Sequence, residues 1–375
     1  MSRRNIDSKS RLLPTDRRMK REAGVSLVEL LVSLAIGGVL IFGAMKAYVD
    51  SRRAYAVDET IVRMQETARY ALSVMEPDLR MANYWGLLKG AESIAGQANP
   101  GDVESVPGGN AAKTCGKNFA MDLASSIEGT NDTYAAACEA KNGHPMPHAD
   151  TITIRRASTA RSNASARAGP LRICSTRTTG VLVASLSDSA TCAAASATPS
   201  IAQINDLVVH LYYVGQDSDQ RTGVPSLRRK VLNAKPDFDD VEIVANVEDM
   251  QIQYGVDTSG GVGPRSGAAT RYLDAGPTLS ALLNSTSSPA QIVSVRLWLL
   301  IRADTPEVGF TDTRVYEYGN RRAAHGKTGD LASGTSPNLP AYQPSLSTDD
   351  RLTSPKRYRR LLVSRTFQVR NALGT

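Results

Sequence analysis

The 375-residue chain is poor in aromatic side chains, with two tryptophans and five phenylalanines, and it holds only four histidines and four cysteines. No proline occurs between Val25 and Glu76, and no cysteine before Cys115. After residue 46 no apolar run is long enough to cross a bilayer: "IVSVRLWLLIRA" (292–303) is short and carries two arginines. A polytopic membrane protein is thereby excluded. The nucleophile elbow G-x-S-x-G, the zinc helix H-E-x-x-H and the Walker loop are all missing, so the usual hydrolase, zinc protease and nucleotide sites have no support. Cys115, Cys138, Cys174 and Cys192 show no C-x-x-C spacing, which argues against zinc and redox chemistry. "GHPMPHAD" (143–150) brings His144, His148 and Asp150 close in sequence, but the spacing fits no zinc pattern and reads as a solvated loop. "GQDSDQRTG" (215–223) lacks the later Glu of a calcium loop and reads as a hairpin turn. His210, inside an apolar strand, reads as a core or sheet-face residue. No catalytic residue, metal site or cofactor is expected.

What the chain does have is concentrated at its start. Residues 1–24 hold eight basic residues against three acidic ones, so this flank supplies +5 of the net charge of +7. The rest is close to neutral, which removes the compositional case for nucleic-acid binding. Val25 to Met45 follows as 21 residues with a single charge, Glu29, enough helix to cross roughly 30 Å of hydrocarbon. Lys and Arg beside a span stay in the cytoplasm, so the expected topology is N-terminus inside and residues 47–375 outside. The four cysteines then lie in an oxidising compartment, where an even count suggests two disulfides with three possible connectivities. Loop closure favours the pairs local in sequence, 115–138 and 174–192.

A secretory signal would end in a small-x-small cleavage site, whereas this run ends in "GAMKAYVDSRRAY". A plain anchor leaves Glu29 unexplained. "KREAGVSLVELLVSLAIGGVL" resembles the class III signal of type IV prepilins and type II secretion pseudopilins: a basic leader, Gly24, then an apolar stretch with Glu29 fifth after the glycine. Val25 stands where the pattern usually has Phe or Met. The resemblance implies cleavage between Gly24 and Val25 by a prepilin peptidase, methylation of the new amine, and a role for Glu29 in docking. The physics agrees. A glycine before the scissile bond leaves the peptidase unobstructed, and a carboxylate inside hydrocarbon costs about 2.5–3.5 kcal/mol unless it has a partner or lies shallow. Glu29 sits one turn from the new amine, so in a staggered stack of helices it can face a neighbour's amine. The plainer reading is a carboxylate that snorkels to the interface.

Beyond the span the helical period continues. Val57, Ile61, Met64, Ala68, Leu72, Met75 and Leu79 form one apolar stripe opposite Arg52, Arg53, Glu59, Arg63, Glu66 and Arg69. Residues 25–76 would make a rod of about 80 Å, with Pro77 expected to stop or kink it and at most a final turn beyond. Strands are expected at 151–157, 171–176, 181–187, 207–214, 226–232, 241–256, 292–303 and 360–371, with loops at 86–148, 257–290 and 319–356. The expected class is α+β: a long N-terminal helix packed on an antiparallel sheet. It divides into a leader 1–24, a helix 25–82 (membrane part 25–46, amphipathic part 47–82) and an exported domain 83–375.

"SVMEPDLRMANYWG" (73–86), "VVHLYYVG" (208–215), "SLRRKVL" (226–232), "VANVEDMQIQYGVD" (244–257), "IVSVRLWLLIRA" and "RRLLVSRTFQVRN" (359–371) resemble, in that order, the PilW family of type IV pilus minor pilins. That likeness implies a minor pilin anchored in the inner membrane with its domain in the periplasm. It implies assembly with other minor pilins and the major pilin, through the pilus assembly machinery, into a complex that primes the fibre and sits at its tip. Twitching motility and adhesion would follow. The rival readings are a minor pseudopilin of a type II secretion system and, from a different class, a tip adhesin.

Overall fold

The computed structural model describes residues 24–95, 115–161, 171–183, 202–233, 237–260, 265–286, 289–322, 339–344 and 356–372. The leader up to residue 23 and Cys192 lie outside these. The chain divides into two units, Met1–Asp58 and Glu59–Thr375.

Helix α1 (Leu27–Met81) contributes to both units. In the first unit every described side chain from Val25 to Met45 is exposed, Gly37 alone being half-covered as a residue. In the second unit the stripe is where the sequence places it: Met64, Ala68, Met75 and Leu79 are buried, with Ala71 and Asp78 beside them, and Ile61 and Leu72 pack at the margin. Pro77 lies inside the helix, which runs on through the expected final turn to Met81. Packing explains this. A mid-helix proline costs about 3 kcal/mol, and burial of Met75 and Leu79 returns roughly 1.5–3 kcal/mol each. The stop comes instead at Asn83, which adopts φ 63°, the left-handed conformation of a helix end. Its side chain pins the exit by donating to Asn371 O and accepting from Trp85 Nε1.

Fourteen strands follow among the described residues. The first sheet holds β1 (Ile94–Ala95), β2 (Ile127–Thr130), β3 (Thr151–Arg161), β4 (Arg172–Ser175), β5 (Gly180–Val183), β6 (Gln203–Gly215), β7 (Ser226–Leu232) and β8 (Phe238–Ala245). Its order is β1-β5-β4-β6-β3-β2, with β7 joining β6 beyond β4 and β8 joining β7. All its pairs are antiparallel except β1 with β5. Three further strands are β9 (Val247–Asp257), β10 (Arg271–Leu273) and β11 (Gln291–Arg302). The two-residue strands β12 (Arg321–Arg322) and β13 (Leu339–Pro340) pair with each other, and β14 (Arg360–Gln368) is last. The second sheet is antiparallel throughout, in the order β10-β9-β11-β14. This is the α+β architecture of a long helix laid on antiparallel sheet.

The single strand expected at 241–256 is two strands in different sheets. Asn246, with φ 67°, turns the chain from β8 to β9, its amide bonded to Pro225 O and its carbonyl accepting from Arg302 N. The expected loop at 86–148 contains β1, β2 and the short helix α2 (Lys117–Met121), and that at 257–290 contains β10 and α3 (Pro277–Leu283). The main core joins the helix stripe to β9, β11 and the inner ends of β3 and β6. A second core around Trp85, Phe119, Ile173, Leu211 and Tyr213 fills the far face of the first sheet.

Candidate assembly interface

Gly24, Val25 and Ser26 precede α1 as non-helical residues, and the helix begins with Leu30 N bonded to Ser26 O. A Cβ at Gly24 would meet nothing within 4 Å. Glu29 occupies the first turn and is exposed, and among the described residues its carboxylate has no ion pair or hydrogen bond. Around it Leu27, Val28, Leu30, Leu31 and Val32 are all more than half exposed. An apolar surface of that size is not left in water. Among the described residues α1 is the one helix long and apolar enough to cross a membrane.

The second unit fastens its helix through one buried carboxylate. Asp78, 3% exposed, accepts from Arg156 of β3 (2.8 and 3.1 Å), from His210 Nδ1 of β6 (2.6 Å) and from the Tyr212 hydroxyl (2.5 Å). Burial works against its charge, but His210, Tyr212 and Arg156 together hold the carboxyl well below the ordinary range. Burial and then Asp78 push the Tyr212 hydroxyl up. His210 is therefore a polar anchor on the sheet face toward α1. Glu76 takes Arg80 on the helix and Arg365 of β14.

Other charged residues brace the second sheet. Glu248 holds Arg360 in a two-pronged pair (2.6 and 3.1 Å), and Asp249 holds Arg321 (2.6 Å) and the Tyr318 hydroxyl. All five of these residues are buried. Sequence pattern alone does not single them out, although the alternation of Asp249, Gln251 and Gln253 with Met250, Ile252 and Tyr254 marks a polar face on β9. Tyr318, Gly319 and Arg321 lie against Asp249 and Gln251 on that face, and every residue of β9 is buried.

Cys115 and Cys138 form a disulfide, and Cys174 is disulfide-bonded as well. The loop so closed is held by Arg155, which donates to Phe119 O and Ser125 O and stacks on Phe119, and by the Tyr134 hydroxyl on Cys138 O. The sequence-adjacent His144, His148 and Asp150 do not converge on a shared ligand position. His144 meets Asp217 at 3.3 Å, while Asp150 is buried and accepts from the amides of Asp132 and Ile252. Among the described residues no group of metal-binding side chains is present.

Residues 211–371 match the family described as type IV pilus-assembly protein W, PilW, and residues 19–45 match the prokaryotic N-terminal methylation motif. The chain thus carries a PilW region behind a prokaryotic N-terminal methylation motif. That region begins within β6 and takes in β7 to β14, with the charged pairs that brace the second sheet; the methylation motif holds Gly24, Val25 and Glu29. The segment 73–86, with Asp78, lies between the two matches. No curated protein matches the chain. Among solved structures, a type IV-like pilin from Thermus thermophilus aligns over 83% of this chain and 97% of its own, at 10% identity and a TM-score of 0.31. That likeness is too loose to transfer detail.

Proposed function

We propose that the chain is a minor pilin of a type IV pilus. It is inserted with its N-terminus in the cytoplasm and cleaved by prepilin peptidase between Gly24 and Val25. It then assembles with other minor pilins and the major pilin to prime the fibre, with a place at the fibre tip and a part in twitching motility and adhesion. The observation that carries this reading is the fully exposed apolar half of α1, with an unpaired Glu29, inside a methylation motif and ahead of a PilW region. Such a helix needs lipid before assembly and other helices after it. Once Val25 is the N-terminus, its amine can pair with Glu29 of a neighbouring subunit, so that cleavage supplies the partner needed for docking.

The test separates the two steps. Gly24→Phe should leave an unprocessed, membrane-bound precursor on an immunoblot, and Glu29→Ala should be processed to mature size yet enter pili several-fold less. Normal piliation in Glu29→Ala would remove the pairing role. Deleting the gene and scoring surface pili and type II secretion separately decides between pilus and pseudopilus. Loss of pili with secretion intact supports the pilus; loss of secretion with pili intact supports the pseudopilus.

A further inference from the structure

β14 is the outermost strand of the second sheet, and its pairing fixes the direction of each backbone group. The Val369 amide donates to Val293 O, and the Ala303 amide to Arg359 O. Both continue the register that sets Ser294 opposite Gln368 and Arg302 opposite Arg360. In an antiparallel pair the bonding residues alternate. Odd-numbered residues of β14 therefore turn their N–H and C=O groups toward β11, and even-numbered ones turn theirs outward. Among the described residues the outward groups of Leu362, Ser364, Thr366 and Gln368 have no partner. Ser364, Arg365, Thr366 and Gln368 are exposed.

Soluble domains blunt such edges with proline, lysine, bulges or brevity. β14 is nine residues long, has no proline or lysine, and runs against β11 without a register shift. The other edges differ. β1, β2 and β10 have two, four and three residues. β8 carries Asp239, Asp240 and Glu242 and pairs with β7 through a register shift.

We propose that β14 receives an extended, acid-bearing segment of another pilus subunit as an added strand, continuing the second sheet across a subunit boundary. The proposal rests on the reading of this chain as a pilus subunit. In such an addition main-chain bonds supply affinity and the flanking side chains select the partner. Selection here favours carboxylates. Residues 360–370 contain no acidic residue; Arg360 and Arg365 are committed to Glu248 and Glu76, and the exposed Arg370 has no ion pair among the described residues. Arg296, directly across from Thr366, stacks on Tyr272 at 3.9 Å and has no ion pair among the described residues. A second copy of β14 brings no carboxylate to Arg296 or Arg370, so it fits this edge less well than an acid-bearing segment.

Proline at Ser364 removes one outward N–H and sets its ring on the edge, while the bonds to β11 come from the odd-numbered residues and stay intact. The experiment places the photoreactive residue p-benzoylphenylalanine at Gln368 of the full-length chain in piliated cells and maps the crosslinked peptide by mass spectrometry. The expected adduct lies on an acid-bearing segment of another pilin. Ser364→Pro and Ser364→Glu each lower its yield at least tenfold, and Ser364→Ala keeps it within twofold. Chain abundance and protease resistance control for folding, and the Glu variant carries the test if the Pro variant is unstable. No adduct, an adduct to a second copy, or a yield indifferent to both variants overturns the proposal. An adduct on a protein outside the pilus, lost in the same two variants, keeps the added strand and overturns the pilus reading instead.

Discussion

Asp132 and Asp78 are two carboxylates that burial treats alike and their neighbours treat differently. Around Asp78 a histidine, a tyrosine and an arginine all favour the charged form. Asp132 is held up at about 6, first by burial and then by nearby Asp274 and Asp249, against the hydrogen bond from Asn320 and the charge of Arg321. The consequences for stability have opposite signs. With an ordinary value of 3.8 in the unfolded chain, the folded state binds a proton at Asp132 between roughly pH 4 and 6 that the unfolded state does not. Stability therefore falls as pH rises through that window. Asp150, raised by burial and in contact with the Asp132 amide, adds to the same slope. The contribution of Asp78 is full above the ordinary carboxylate range and is lost only as pH drops below it. Asp132→Asn should accordingly flatten the rise in stability from pH 7 to 4.5 by up to one proton's worth of slope, leaving the loss at lower pH unchanged. Urea titrations of the detergent-solubilised chain across that range measure it, and an unaltered slope would refute the assignment.

α1 meets the sheets through an apolar stripe and a single polar clamp, and only the first was legible in the sequence. Met64, Ala68, Met75 and Leu79 repeat at helical spacing, and period is a local property. The clamp is not local. Asp78 is followed 78 residues later by Arg156 and 132 later by His210, so no window along the chain shows that they meet. The same distinction separates what was readable among the strands. β7 was readable to the residue because alternation and turn composition bound it on both sides. The break at Asn246 was not, since "VEIVANVEDM" keeps its apolar rhythm across a residue whose left-handed backbone sends the chain into another sheet. Of the candidate interface residues, Gly24, Val25 and Glu29 were singled out by the resemblance of their surroundings to a prepilin-type signal, and the open edge of β14 was not, because an edge is defined by which neighbour is missing. The clamp yields its own prediction. Asp78→Ala leaves Arg156 and His210 facing a buried vacancy, and losing one partner of such a group costs about 3–5 kcal/mol. Urea unfolding of the full chain in detergent should show that loss, with Glu59→Ala, at an exposed pair on the same helix, changing stability by well under about 1 kcal/mol.

At the scale of the molecule, the functional division does not coincide with the end of the helix. Contacts divide the chain between Asp58 and Glu59, within α1, and the residues on either side have different needs. Before the division the side chains from Val25 to Met45 are apolar, Glu29 and the serines apart, and exposed, and those from Lys46 to Asp58 are largely polar and exposed. After it they supply Met64, Ala68, Ala71, Met75 and Leu79 to the main core, and Asp78 to the clamp. A fragment spanning residues 59–375 therefore retains every helical residue the exported unit buries, and it should fold in water without detergent. One that begins at residue 82 loses the stripe as well as the clamp. Removing a single fully buried Met or Leu side chain already costs about 2–5 kcal/mol, and a domain of this kind has a net stability of about 5–15 kcal/mol. Loss of three such side chains, two buried alanines and the Asp78 clamp exceeds that margin. The 82–375 fragment should be insoluble or protease-sensitive when expressed under oxidising conditions, and the 59–375 fragment monomeric and cooperative in thermal unfolding. Solubility and a sharp transition in the shorter fragment would show that the sheets close their own core, and that the second half of α1 serves the filament rather than the fold.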